Sequence, residues 1–393
     1  MRNQDHEAMS RMVIPYAVPE ELPPQVQEQL AKARRRGVFR IAVLYYGGTV
    51  GMHYDADGNL APTNDIGDLL KPLVMKGLEE RIEVVWFQVH PKAIDSTNAR
   101  WHHWVTIGNA AKLLYDWVDG YVVLGGTDTM AHMLASMQFM FPNIGKPIVG
   151  GGAQLPIKRL GTDAERNLFF ELVTAASDLS GAHLAFDENV RHGLHVFKVQ
   201  DKKLRAYDSP QRFVIGDYDG DVNLYPSAPK RNPFVTSARL EFRPGFREGI
   251  KVVELSPATT SRSILHDASD PDCSALLLIT YGAGNVRDEP GFPGEITHID
   301  AIRQLHERRY PVILGSPMMD GKVDSPYAVG AKAVSAEVGG ISGGDTCGPT
   351  LHVKAMRSLA LAWNTDADAL DYDRFREHML RDHVGELTVN MSK

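Results

Sequence analysis

Two stretches of this chain share one pattern, an uninterrupted apolar run that breaks into paired glycines and then a threonine. Residues 121–130 read Tyr-Val-Val-Leu-Gly-Gly-Thr-Asp-Thr-Met, and residues 41–49 read Ile-Ala-Val-Leu-Tyr-Tyr-Gly-Gly-Thr. A short apolar run bounded by glycine reads as a buried strand. Thr49 on one stretch, and Thr127, Asp128 and Thr129 on the other, then stand at the carboxyl ends of strands, where open α/β sheets build their sites. A single Gly-Gly-Thr most often only ends a strand. Its repetition brings two threonines to one crevice and suggests a threonine nucleophile, with the glycine amides turned outward to hold an oxyanion.

The same strand-then-helix alternation runs through most of the chain. Strands are expected over Glu83–Val89, up to Leu124, over Ile148–Val149, Ala275–Thr280 and Pro311–Gly315. Helices are expected from Trp101, over Met130–Met140, Ala164–Ala176, Ala301–Arg309 and Pro349–Ala362. This order predicts an α/β fold, with a mainly parallel sheet flanked by helices in a larger N-terminal domain and a smaller α/β domain at the C-terminal end. Residues 1–37 read as an N-terminal arm, 38–210 as the catalytic domain, 211–249 as a proline-rich linker and 250–393 as the second domain.

With 393 residues, 43% hydrophobic and a formal net charge of −7, the chain has ample material for two cores and no basic stripe for nucleic acid or an anionic membrane. Its one cationic cluster, Arg34-Arg35-Arg36, falls in a short polar helix and reads as solvated. No apolar segment has the length of a signal peptide or a membrane span, so a cytoplasmic location is expected. Cys273 and Cys347 have neither metal-ligand spacing nor the numbers for a disulfide framework. His102-His103 are adjacent and face different sides of a helix, so no metal is expected, and no cofactor either. The run Gly339-Gly340-Ile341-Ser342-Gly343-Gly344-Asp345 lacks the Lys-Ser/Thr of a phosphate loop and reads as a helix-capping turn, with Asp345 or Thr346 as the cap.

Further motifs fall in a consistent order around the two threonine turns. Asp95-Ser96-Thr97-Asn98-Ala99 lies between them. Gly152-Ala153-Gln154-Leu155-Pro156, Thr162-Asp163-Ala164 and Asn167-Leu168 follow, and Tyr281-Gly282-Ala283-Gly284-Asn285 and Ile341-Ser342-Gly343-Gly344-Asp345-Thr346 stand in the second half. With Gly47-Gly48-Thr49-Val50-Gly51-Met52 and Gly126-Thr127-Asp128-Thr129-Met130, this set resembles the bacterial-type L-asparaginase family over roughly residues 40–363. The resemblance also points to Lys198, ten residues before Asp208 in the stretch that leads to Ser209-Pro210, ahead of its neighbours Lys202 and Lys203.

What the resemblance implies is an amidohydrolase that cleaves a carboxamide to acid and ammonia through a threonine acyl-enzyme. Thr49 would attack, and Thr127, Lys198 and Asp128 would form the proton relay, lysine being one known acceptor for a hydroxyl proton. Gly48, Ser96, Thr97, Gly126, Ala153 and Asn285 would contact the substrate. Asp128 would take an ammonium group, Ser96 a carboxylate and the Ala153 carbonyl the leaving nitrogen. A homodimer or homotetramer is expected, with the second domain of one subunit near its neighbour's site.

The chain also departs from the family pattern. Asn59 stands where the family's lid tyrosine belongs, Gly125 replaces a histidine, and His192 and His195 replace two arginines. Tyr54, five residues before Asn59, is the candidate to replace the tyrosine. These changes keep three readings open: asparaginase-type hydrolysis, hydrolysis of an amide or imide without the amino-acid head group, and a binding protein that keeps the fold.

Overall fold

The computed structural model describes residues 21–54, 57, 60–62, 77–232, 239–323 and 327–388. The chain divides into two compact units, residues 1–244 and 245–393.

The first unit is built on an eight-stranded sheet among the described residues. Its strands are β1 (Phe39–Tyr45), β2 (Ile82–Gln88), β3 (Gly120–Leu124), β4 (Pro147–Gly151), β5 (Gly181–Phe186), β6 (Asn189–His192), β7 (Val214–Tyr218) and β8 (Val222–Leu224), in the order β8-β7-β6-β5-β4-β3-β1-β2. The five strands from β2 to β5 pair in parallel, and β6, β7 and β8 continue antiparallel. Every residue of β3 and β4 is buried, as expected of central strands covered on both faces.

Side chains of successive strand residues point to opposite faces, and the glycines of β4 show which helix covers each. A Cβ on Gly150 would meet Met130 and Leu134 of helix α3 (Met130–Met140), and one on Gly151 would meet Glu171 of helix α4 (Ala164–Ala175). The Tyr121 hydroxyl donates to Ala111 of α2 (Trp101–Leu114) at 2.8 Å, which places α2 against the sheet as well. Ile41, Val43, Tyr45, Val122, Leu124 and Val149 form one core with Leu168 and Leu172 of α4.

Part of the expected arm is ordered structure. Residues Pro24–Arg36 form helix α1, which starts with proline in its first turn and ends at Gly37 in the left-handed conformation (φ 70°). It buries Val26, Leu30 and Ala33, a spacing of four and three residues that gives one apolar stripe, while Arg36 reaches Glu83 at 3.2 Å on the exposed side. Residues 1–20 lie outside the described residues.

The expected linker 211–249 also contains structure, since β7 and β8 lie within it and extend the large sheet. Val214 and Ile215 are buried and a turn at Gly220 (φ 116°) joins the two strands; the prolines that suggested a linker come after the hairpin.

The second unit holds a four-stranded parallel sheet, β9 (Ile250–Glu254), β10 (Ala275–Ile279), β11 (Val312–Gly315) and β12 (Ile341–Ser342), in sequential order. Alternate faces feed two cores. Leu276, Leu278 and Leu314 pack with Ile299 and Ile302 of one helix, and Leu277 and Ile313 with Leu351, Leu359 and Phe375 of others. Helix Gly348–Ala362 starts after Cys347 without a side-chain cap, and Asp345 instead accepts the Thr388 amide at 2.9 Å. The run before it thus holds edge strand β12 followed by a turn at Gly344–Asp345, and neither Asp345 nor Thr346 is the cap of the helix. Lys354 and Glu386 make a buried ion pair at 2.8 Å, with side chains 1% and 0% exposed.

Several histidines of the first unit are buried neutral. His183 on β5 is fully buried, its ring 5.3 Å from that of His192, and its Nε2 is 2.7 Å from the Ser180 carbonyl oxygen. Burial, and then the neighbouring His192, lower its pKa to about 3. The unfolded chain, with an ordinary value near ~6.5, binds more protons between those limits, so this residue's contribution to stability falls as pH drops from about 6.5 toward about 3. Glu171, whose burial raises its pKa, acts in the opposite sense above the ordinary carboxyl range. Urea unfolding of wild type and His183→Gln at pH 7 and pH 4.5 isolates the histidine term: the variant should lose less stability on acidification, and equal losses would contradict the assignment.

Candidate active site

The register between β1 and β3 sets the geometry of the crevice. Tyr45 pairs with Leu124, and the Tyr46 amide donates to the Leu124 carbonyl at 3.0 Å, so the two Gly-Gly-Thr turns leave the sheet side by side. They touch through their glycines. A Cβ on Gly48 would lie 2.2 Å from the Gly126 nitrogen, and Gly48 has φ 90°, a region other residues rarely enter. The neighbouring residue Thr49 opens a single 3-10 turn, Thr49–Gly51, and is half-buried.

The Ser96 loop closes onto both turns. Ile94 donates its amide to the Tyr46 carbonyl at 2.9 Å and accepts from the Gly48 amide at 3.2 Å. Asp95 accepts the amide and hydroxyl of Thr97 at 2.9 and 2.8 Å, which shapes the short turn Ser96–Asn98. Ser96 is buried, and its hydroxyl lies where a Cβ on Gly126 would be, 2.3 Å away, whereas Thr97 is exposed. Thr129, the residue before α3, turns its hydroxyl to the Ser96 carbonyl at 3.1 Å instead of capping the helix.

Lys198 comes from a two-stranded ribbon, Phe197–Lys198 with Tyr207–Asp208, in which Lys198 pairs with Tyr207. Its side-chain nitrogen Nζ is 2.7 Å from Thr127 Oγ1 and 2.6 Å from Asp128 Oδ1. Lys202 and Lys203 are exposed on the connection that follows. Thr127 is buried, while the Asp128 side chain is 52% exposed at the mouth of the crevice. Behind them Tyr207, fully buried, donates its hydroxyl to the Thr127 carbonyl at 2.6 Å.

The Ala153 turn is held by backbone contacts to carboxylates. Asp163 accepts the amides of Gln154 and Leu155 at 3.0 Å each, and Asn167 joins Asp163 to the Gly152 carbonyl. Glu171, buried beneath Gly151, accepts the Gly152 amide at 2.8 Å. The Gly125 carbonyl lies 2.6 Å from the position of a Cβ on Gly152, so this turn borders the Thr127 turn. Ala153 is fully buried.

Thr127, Asp128, Lys198, Gly48, Gly126 and Ser96 are therefore brought together, with Thr49 one residue from the Gly48–Gly126 contact and Ala153 on the adjoining turn. Asn285 belongs to the second unit, where its side chain donates to Gly282 and accepts from the Gly330 amide. The backbone of Tyr54 pairs with Leu60 in a short hairpin. Its side chain, Gly58 and Asn59 lie outside the described residues. Tyr207 and Glu171 carry no sequence signal of their own, because neither is spaced from a glycine turn.

A model of the asparaginase N-terminal domain matches residues 40–230. L-asparaginase of Dirofilaria immitis is 27% identical over 89% of this chain, which spans 60% of that relative's length. L-asparaginase 1 of Escherichia coli K12 is 28% identical over 88% of this chain and 98% of its own. The solved structure of the thermostable L-asparaginase from Thermococcus kodakarensis superposes with a TM-score of 0.75 at 27% identity, over 89% of this chain and all of that one. The chain belongs to the L-asparaginase family. Members of this family are hydrolases of amide C–N bonds, and the α/β architecture described above is theirs. Matching relatives include proteins of other names, among them a 60 kDa lysophospholipase of Homo sapiens, 24% identical over 89% of this chain and 61% of that protein.

The glycine contact gives a direct test. Gly48→Ala puts a methyl group into the Gly126 backbone at a positive φ, and overpacking and strain of this kind each cost about 1–3 kcal/mol. Gly220→Ala has the same strain (φ 116°) with nothing within 4 Å. Chemical denaturation should show Gly48→Ala to be the more destabilised by at least about 1 kcal/mol; equal costs would mean that the turns do not touch.

Proposed function

We propose that this asparaginase-family amidohydrolase converts a small carboxamide and water to a carboxylic acid and ammonia through an acyl-threonine. The observation that carries the reading is the placement of the Lys198 amine between Thr127 Oγ1 and Asp128 Oδ1, at 2.7 and 2.6 Å. An amine held within hydrogen-bond reach of a buried hydroxyl can exchange a proton with it as charge develops.

In this reading Thr49 Oγ attacks the amide carbon. The O–C bond forms, its proton passes to the leaving nitrogen, and the C–N bond breaks to release ammonia. A water molecule next to Thr127 and Lys198 then attacks the ester, which restores the Thr49 hydroxyl and frees the acid. Backbone amides of the threonines in the two turns, Thr49 and Thr127, would hold the oxyanion in each step. Asp128, half-exposed at the mouth, suits an ammonium group, Ser96 with Thr97 a carboxylate, and the Ala153 carbonyl the leaving nitrogen.

L-asparagine is the first substrate to test, and a carboxamide or imide without the amino-acid head group is the second. Gly125 favours keeping the second, because it removes a polar side chain of the family beside the Thr127 turn. The protein is read as cytoplasmic and as a homodimer or homotetramer, to which Asn285 would contribute from the second unit; among the described residues no helix is long and apolar enough to cross a membrane.

Ammonia release across a panel of amides and imides checks the activity and its head-group preference together. Thr49→Ala should lower turnover by about 10³-fold or more while the substrate still binds. Lys198→Met, which keeps the stem, should lower kcat by at least about 10²-fold, whereas Lys202→Met and Lys203→Met should do little. Retention of a tenth of wild-type turnover by Thr49→Ala would overturn the nucleophile, and a stronger effect at Lys202 or Lys203 would overturn the relay.

The lid is a separate question. If Tyr54 serves in place of the family tyrosine, Tyr54→Phe should reduce kcat with little change in KM, the pattern of an interaction made mainly in the transition state. A silent Tyr54→Phe with a more active Asn59→Tyr on asparagine would assign the lid role to position 59.

A further inference from the structure

Tyr46, at the end of β1, is a buried hydroxyl in the wall of this crevice that the reaction above leaves unused. Its side chain is fully buried, and it lies so close to Gly125 that a Cβ there would stand 2.0 Å from ring carbons Cε1 and Cζ and 2.3 Å from the hydroxyl oxygen. Gly125 is thus the cradle for this ring: the glycine that replaces the family's histidine is the residue that admits the phenol.

The ring alone does not explain a tyrosine, because phenylalanine would fill the same space without burying a polar atom. Among the described residues the Tyr46 hydroxyl makes no hydrogen bond of regular geometry. Thr129 nevertheless stands close enough to oppose the effect of burial on this phenol, and Tyr207 is a second buried phenol nearby. Thr129 Oγ1 gives its single hydrogen to the Ser96 carbonyl at 3.1 Å. Its remaining lone pairs can accept only from a donor, and a buried phenol is one.

We propose that Tyr46 is a positioning residue whose hydroxyl closes onto Thr129 Oγ1 when substrate fills the crevice. The resulting chain from Tyr46 through Thr129 to the Ser96 carbonyl ties together the end of β1, the Thr127 turn and the Ser96 loop. It acts on substrate affinity through Ser96 and touches no reacting atom. The inference rests on the proposed function in taking Ser96 as a substrate contact.

The test is steady-state kinetics of the full chain on L-asparagine, or on the amide of the panel that it hydrolyses fastest, with melting temperatures measured alongside. Tyr46→Phe keeps the ring in its cradle, so its Tm should stay close to wild type, while KM rises about fivefold to tenfold with kcat within about twofold, the scale of one neutral hydrogen bond. Thr129→Val should raise KM similarly, and the double variant should be no worse than either single one, because both remove the same link. A packing role alone predicts no KM change in Tyr46→Phe. An unchanged KM in that variant, or effects that multiply in the double variant, would overturn the proposal while leaving the activity standing. A wild-type protein that releases ammonia from no amide would overturn the functional reading, and this inference with it.

Discussion

The contact between the two glycine turns is the constraint on which the site depends. Parallel neighbours β1 and β3 deliver Tyr45 and Leu124 in register, so the residues after them must pass each other within a backbone's width. With a Gly48 Cβ position 2.2 Å from the Gly126 nitrogen, no side chain fits between them. The absence of side chains lets the turns pass this closely and places the following threonines together at the carboxyl end of the sheet, where open α/β sheets build their sites.

Around that contact the protein uses backbone hydrogen bonds to fix loops that would otherwise be free. Asp163 holds two successive amides of the Ala153 turn, Glu171 holds a third from below, and Tyr207 holds the Thr127 carbonyl. Each of these groups is buried or nearly so, where a hydrogen bond is poorly screened and an unmade one is costly. The loops are therefore held at defined positions before any substrate arrives, as electrostatic stabilisation of a transition state requires. The Asp128 side chain is half-exposed, which suits a group at the entrance for an incoming ligand.

The departures from the family pattern are structural as well as chemical. Gly125 looks in the sequence like the loss of a polar side chain, yet in the fold it exchanges that side chain for the Tyr46 ring arriving from the neighbouring strand. Gly151 makes the same kind of room for Glu171 of α4. In both places a glycine on one element is the counterpart of a bulky polar residue on another, so the space left by the missing side chain is filled.

Much of the first unit was legible from the chain because its central strands are covered on both faces and read as continuous apolar runs. Helix Met130–Met140 and strand Gly120–Leu124 lie where the pattern puts them. Elements at the margins were not: α1 buries only three residues of a charged helix, and the β7–β8 hairpin hides among prolines and polar residues. Of the candidate site, the sequence alone determined the two Gly-Gly-Thr turns and the identity of the residues beside them, since strand endings and glycine pairs are local signals. The grouping of Lys198 with Thr127 and Asp128 was implied only by family resemblance, and its contacts with them, across 71 and 70 residues of chain, were decided by tertiary structure. So were the contacts of Tyr46, Tyr207 and Glu171, because a contact between strands or between a strand and a helix depends on register and packing and leaves no spacing to read along a single chain.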